Sequence, residues 1–213
     1  MERRADVSEG SASDERLGSE ARHRLANVFQ LLSTLTRMRI QRSDDEEARR
    51  QLSWMLDAIG ALALLHNRPR GEGATDFSRF LSDMAPLWRR RCEGRLVAIQ
   101  LDLSPLHVPE RHESALALIA HELVLNAIAH AFPDGAGGVV KIAFGPGAKG
   151  TGVLAVGDNG RGYDPETVTR ERLGLWLIGG LTSQVQGVIT TTYEPGVQAR
   201  LVFPLPNPDG GPA

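Results

Sequence analysis

The spacing of apolar residues changes character once along this chain, at residues 68–74, and that change limits the fold more than any other feature. Before it, apolar residues recur at helical spacing only. After it, helical and alternating spacings interleave. Over residues 19–40, Leu25, Val28, Phe29, Leu32 and Leu35 share one face of a helical wheel, and His23, Asn27, Gln30 and Thr34 fall on the opposite, polar face. Residues 41–45 are a polar turn, and Ser43 with Glu46 reads as a capping box opening a second helix. There Leu52, Met55, Leu56, Ile59, Leu62 and Ala63 follow at three- and four-residue spacing, predicting a helix to about His66. Two amphipathic helices joined by a short turn make an antiparallel hairpin. A hairpin alone cannot hide both stripes, so a second copy completing a four-helix bundle is expected, and the chain is expected to be a homodimer.

The Gly-, Pro- and charge-rich residues 68–74 read as a hinge. Expected units are a tail at 1–18 (disordered, or a lead-in to the first helix), the hairpin at 19–67, a second domain at 75–205 and a short tail at 206–213. In the second domain Phe77, Phe80, Leu81, Met84, Leu87 and Trp88 mark a helix. Val97, Ile99 and Leu101 alternate as a strand, and residues 110–131 form a long helix. Strands are predicted at 139–144 and 152–156, a helix at 173–185, and a closing β-hairpin at 188–193 and 197–203. The fold class expected is α+β: a helical hairpin followed by an α/β sandwich with helices on one face of a sheet.

The formal net charge of -2 argues against a nucleic-acid partner. The single cysteine, Cys92, allows no internal disulfide and fits a reducing compartment. The first residues lack the apolar core of a secretion signal, and no apolar run approaches the roughly 18 residues of a membrane span. The expectation is a cytoplasmic chain with no membrane contact.

Three segments stand out chemically. On the long helix, Glu122, Asn126 and His130 share one face at four-residue spacing. A carboxamide oxygen one turn from a carboxylate suits a hard cation such as Mg²⁺, with the carboxylate orienting a water. The other reading is a solvated helix face. Next, Asp158 and Asn159 end a strand and lead into Gly160 and Gly162. A buried aspartate at a strand end accepts a hydrogen bond from an exocyclic amine such as that of adenine, and glycines let backbone approach a ligand. The other reading is an Asp-Asn-Gly turn. Third, Gly174 opens the helix that includes Leu175, where free N–H groups suit a phosphate; the other reading is close helix packing.

In order and spacing, HELVLNAIAHAFP, VGDNGRGYD, RLGLWLIGGL and PGVQARLVFPL resemble the N, G1 and G2 boxes and closing strand of the GHKL ATPase fold, shared by histidine kinases and gyrase-type ATPases. The run from Glu20 through His23, Arg24, Asn27 and Gln30 resembles the phosphoacceptor box of sensor histidine kinases of the HisKA_2/HWE type, and the run ending at His66 resembles the end of their second helix. The resemblance covers residues 19–204. It implies an ATP-dependent protein-histidine kinase with ATP and Mg²⁺ as cofactors. His23 would accept the phosphoryl group, Asn27 would orient its ring, and Glu20 would act as base or fix its tautomer. Asn126 would ligate Mg²⁺ with Glu122 as its acidic partner. His130, Asp158, Gly160, Gly162, Arg172, Gly174 and Leu175 would line the nucleotide.

The implied function is autophosphorylation at His23, followed by transfer to an aspartate of a response-regulator receiver domain in two-component signalling. The segment before residue 19 is too short for a sensor, so input from a separate sensor protein is expected, or the chain is an excised catalytic core. Three departures from the family pattern bear on activity. Ala129 stands where many relatives have Lys, Arg172 stands at the first G2 glycine, and Val197 stands where a Thr is frequent. They motivate an alternative, a histidine phosphotransferase of a phosphorelay with a degenerate ATP site. A serine/threonine kinase of the anti-sigma type shares the ATP fold but needs no phosphoacceptor hairpin.

Overall fold

In the computed structural model, residues 6–68, 76–162, 173–193 and 196–206 are described. The chain divides into two compact units, Met1–Pro69 and Arg70–Ala213.

The first unit is an antiparallel hairpin of α1 (Asp6–Arg42) and α2 (Glu46–His66). The first helix begins at Asp6, within the stretch expected as a tail or helical lead-in. The cap of α2 is also displaced from the expected Ser43. Asp45 is the N-cap, its carboxylate accepting from the amides of Glu47 (2.8 Å) and Ala48 (3.4 Å), while Ser43 Oγ donates to the Asp45 carbonyl. An aspartate immediately before the first turn reaches its amides more directly and complements the helix dipole. Between the helices, Phe29 stacks on His66 with ring centroids 5.7 Å apart, and Ala61 and Leu65 are buried. Outside that seam Val28, Leu31, Leu32, Leu35 and Met38 of α1 remain exposed, Leu31 by 59%.

The second unit runs α3 (Phe77–Arg91), β1 (Val97–Leu103), α4 (Glu110–His130), a 3-10 turn (Pro133–Gly135), β2 (Gly138–Pro146), β3 (Thr151–Asp158), α5 (Leu173–Gln184), β4 (Val188–Thr192) and β5 (Gln198–Pro204). The sheet order is β1-β2-β3-β5-β4. Only β1 and β2 are parallel, because α4 carries the chain back between them. The register aligns one apolar row across the strands: Val140, Ile142 and Phe144 of β2, Leu154 and Val156 of β3, and Ala199, Leu201 and Phe203 of β5. All eight are buried beneath the helices, with Phe77, Phe80, Met84 and Trp88 of α3 and Leu116 and Ile119 of α4 completing the core. Trp88 Nε1 donates to Nδ1 of the buried His121 at 3.2 Å, tying α3 to α4 beside Glu122. Cys92 is buried, and burial pushes its thiol up, away from thiolate chemistry.

Asp76 starts this unit twice over, accepting from the Ser78 amide at 3.0 Å as N-cap of α3 and from the Leu106 amide at 3.1 Å. Burial works to raise its carboxyl, yet the hydrogen bonds from Ser78 and Leu106 outweigh it and hold the carboxyl below its ordinary value. A lowered folded pKa contributes stability above the unfolded pKa that is lost as pH falls through the folded one. Asp76→Asn keeps an oxygen at the cap and removes the charge. Denaturant midpoints should therefore show wild type ahead of the variant above about pH 4, with the gap closing at lower pH. A gap independent of pH would show that the charge contributes nothing.

Candidate functional site

The second unit builds its site on the end of β3. Asp158 is buried (4% exposed), and its Oδ1 accepts from the amides of Gly160 (2.9 Å) and Val197 (3.3 Å). Among the described residues no donor reaches Oδ2. The Asp158 amide donates to the Val197 carbonyl, and Gln198 Nε2 donates to the Asp158 carbonyl. Every group around this carboxylate is thereby fixed, apart from one outward acceptor oxygen. The packing demands glycine at two points. Gly196 has φ +71°, and a methyl there would lie 2.1 Å from the Asp158 carbonyl oxygen. At Gly160 a methyl would lie 2.3 Å from the carbonyl oxygen of Ala131, just past the end of α4. Gly162 closes the same turn against the Tyr193 carbonyl. The short Asp-Asn-Gly turn is present, but as the frame around a buried carboxylate.

Helix α4 is the second wall. Ala131, its C-cap, accepts the Arg161 amide at 3.0 Å, which sets the Asp158 turn against the helix end. At about 1.5 Å of rise per residue, Asn126 lies about 7.5 Å and Glu122 about 13.5 Å along the axis from Ala131. The expected common face is not a uniformly solvated one: Glu122 is buried (2% exposed), Asn126 is half-buried, and His130 is exposed. At the far end Gly174 of α5 packs so closely that a methyl would stand 2.8 Å from Glu122 Oε2. Gly174 packs closely on Glu122, which sets the first turn of α5 beside the buried carboxylate. Leu175 lies in α5, its side chain outside the described residues, and Arg172 lies outside them altogether. Ala129 is exposed and brings no cation to this face.

The arrangement offers a charged acceptor for a base-edge donor at one end and a carboxamide oxygen midway. At the other end is a helix start. Among the described residues no cluster of three or more His, Cys, Asp or Glu side chains forms a metal site. The lone Asn126 oxygen suits a Mg²⁺ that arrives with phosphates and keeps most of its waters.

In the hairpin His23 is exposed on α1, and the side-chain amide of Asn27 lies 3.4 Å from its Nδ1. Which group donates in that contact depends on the ring tautomer. Glu20, expected to serve the same ring, is ion-paired with Arg24 at 2.5 Å. Sequence reading missed the amide of Val197, the side chain of Gln198 and Gly196 around Asp158. The Pro-Gly turn between the last two strands was the signal for the glycine. Among the described residues no helix is long and apolar enough to cross a membrane.

A family model described as a histidine kinase-like ATPase domain matches residues 94–202, and one described as histidine kinase matches residues 20–86. The sensor histidine kinase PdtaS of Mycolicibacterium smegmatis is 27% identical over 224 residues, covering 94% of this chain and 43% of the relative. The chain thus spans less than half the length of that curated relative. Among solved structures, the histidine kinase domain of the Erythrobacter litoralis EL346 blue-light activated histidine kinase aligns with a TM-score of 0.66 at 19% identity, covering 84% of this chain and 94% of that one. Full-length ShkA in complex with AMPPNP aligns with a TM-score of 0.54 at 20% identity, covering 90% of this chain and 45% of that one. These likenesses establish the fold.

Proposed function

The chain belongs to the histidine kinase-like ATPase family as an HWE-type histidine kinase core, and we propose that it moves the γ-phosphoryl group of ATP to His23 and then to an aspartate of a response-regulator receiver domain. The observation that carries this reading is Asp158. Its carboxylate is buried and braced through Oδ1, with Oδ2 left for a donor. The exocyclic amine of adenine is such a donor. With the base there, the triphosphate extends along α4 toward Asn126 and the start of α5.

In this reading Asn126 holds Mg²⁺, which when bound offsets phosphate charge as phosphorus changes partners. Asp158 and the Gly160 turn orient the base, and buried Glu122 supports the metal end of α4. The Asn27 contact keeps one nitrogen of the His23 ring occupied and the ring in one orientation. A bond forms between Nε2, in the tautomer that carries the ring proton on Nδ1, and the γ-phosphorus, the bond to the β–γ bridging oxygen breaks, ADP leaves, and the Nδ1 proton passes to solvent. The phosphoimidazole then donates to a receiver carboxylate. We place the chain in the cytoplasm, where receiver domains and ATP meet.

The test is incubation with Mg²⁺ and γ-labelled ATP. Label that is acid-labile and base-stable supports the reading. A second reading, the relay histidine phosphotransferase, is favoured by exposed Ala129, which supplies no cation to the phosphates. A chain that takes phosphate from a receiver but never from Mg-ATP decides for the relay.

The apolar residues left exposed on α1 support a second copy packed against the hairpin as a four-helix bundle. Charging the most exposed of them, Leu31→Glu together with Leu35→Glu, buries like charges at that seam. Light scattering should show wild-type dimer and variant monomer. A dimeric variant would put the dimer contact elsewhere.

A further inference from the structure

Arg95 lies in the connection between α3 and β1, in a turn set by the Arg95 amide donating to the Cys92 carbonyl and by Gly94 at φ +78°. Its guanidinium reaches across to the end of α4. Nη1 donates to the Ile128 carbonyl at 2.7 Å and Nη2 to the Phe132 carbonyl at 2.9 Å. These are carbonyls at and just past the last turn of a helix, where intrahelical partners run out and the dipole favours a cation. A planar fork spans both acceptors, whereas an ammonium would sit on one. Between them in sequence is Ala131, whose carbonyl takes the Arg161 amide and whose oxygen presses on Gly160. Arg95 thus grips both sides of the one residue on which the Asp158 turn rests.

We infer that Arg95 is a positioning residue of the nucleotide site. Its fork sets the end of α4 and, through Ala131, the Gly160–Arg161 turn that presents Asp158 at a fixed distance from Asn126. The inference rests on the reading of Asp158 as the base-binding group. Arg95 itself touches neither nucleotide nor metal in this assignment.

The test has a local arm and a binding arm, both on the full chain. Arg95→Met keeps the aliphatic stem and removes the fork. Amide exchange at Arg161 should then accelerate about tenfold relative to amides of the sheet centre such as Leu154. The Kd for MgADP should rise about tenfold. On an Asp158→Asn background the same substitution should change Kd by less than about twofold, because the group it positions is already disabled. Arg95→Lys, which keeps the charge and one bond, should show the same local acceleration and guards against a Met variant that fails to fold. Unchanged Arg161 exchange overturns the assignment. So do effects of Arg95→Met and Asp158→Asn that simply add, which is what a general stabiliser would produce. A wild-type chain that binds no MgADP overturns the nucleotide reading, and the role of Arg95 with it.

Discussion

Replacing His23 with Ala should remove all transferable phosphate from the chain while leaving its melting temperature nearly unchanged. Six histidines compete for the assignment, and their surroundings differ. His121 is buried with Nδ1 engaged by Trp88. His112 is buried, and its pKa is lowered by burial and by the charge of Arg111. His66 is stacked on Phe29 inside the hairpin seam. His107 and His130 are exposed but lie in the second unit, with the Asp158 turn. His23 combines an exposed ring with a neighbour, the Asn27 amide 3.4 Å from Nδ1, that can orient it. A neutral imidazole is the nucleophile that phosphoryl transfer requires. An exposed substitution of this kind changes stability by less than about 0.5 kcal/mol. The measurement is acid-labile label from γ-labelled ATP, and separately from a phosphorylated receiver domain, on wild type and variant. Both signals should vanish together. Label that persists in the variant, or that follows His130 instead, would move the acceptor site.

The two halves of this assignment differ in how far the amino-acid sequence exposes them. The helices and strands are legible because each buries one side: the alternation in Val97, Ile99 and Leu101 and the stripe through Leu52, Leu56 and Ile59 follow from periodicity alone. The start of α1 is not. Residues 6–18 have little apolar character, and no stripe marks their helicity. The Ser43 cap fails for a local reason, since Asp45 competes for the same amides from a closer position. In the candidate site, Asp158 and the glycines stand out because they cluster in sequence. Their supports do not. The Val197 amide is 39 residues from Asp158, and the Ile128 carbonyl is 33 from Arg95. Such pairings rest on strand register and helix placement, which periodicity cannot align. The burial of Glu122 was hidden for the same reason: whether a polar helix face is wet depends on what packs against it, here Gly174 of α5.

The second large effect is expected at Asp158, and its sign depends on the base. Adenine presents an amine donor where guanine presents a carbonyl acceptor. In Asp158→Asn the side-chain oxygen can stay on the amides of Gly160 and Val197, so the turn should hold. The atom facing the ligand then becomes an amide nitrogen, a donor meeting a donor. Losing a hydrogen bond to a charged acceptor costs about 1.5–3 kcal/mol, roughly a ten- to hundredfold loss of adenine-nucleotide affinity. Guanine nucleotides should move the other way, gaining a donor for their carbonyl, so the preference for ADP over GDP should narrow by more than either affinity changes alone. Titration of fluorescent ADP and GDP against both proteins measures this directly. Asp158→Ala serves as the contrast. It removes the outward acceptor and also strands the two braced amides, so it should weaken both nucleotides. If Asp158→Asn leaves the ADP-to-GDP ratio where it was, the carboxylate only braces the turn, and the base is read by another group.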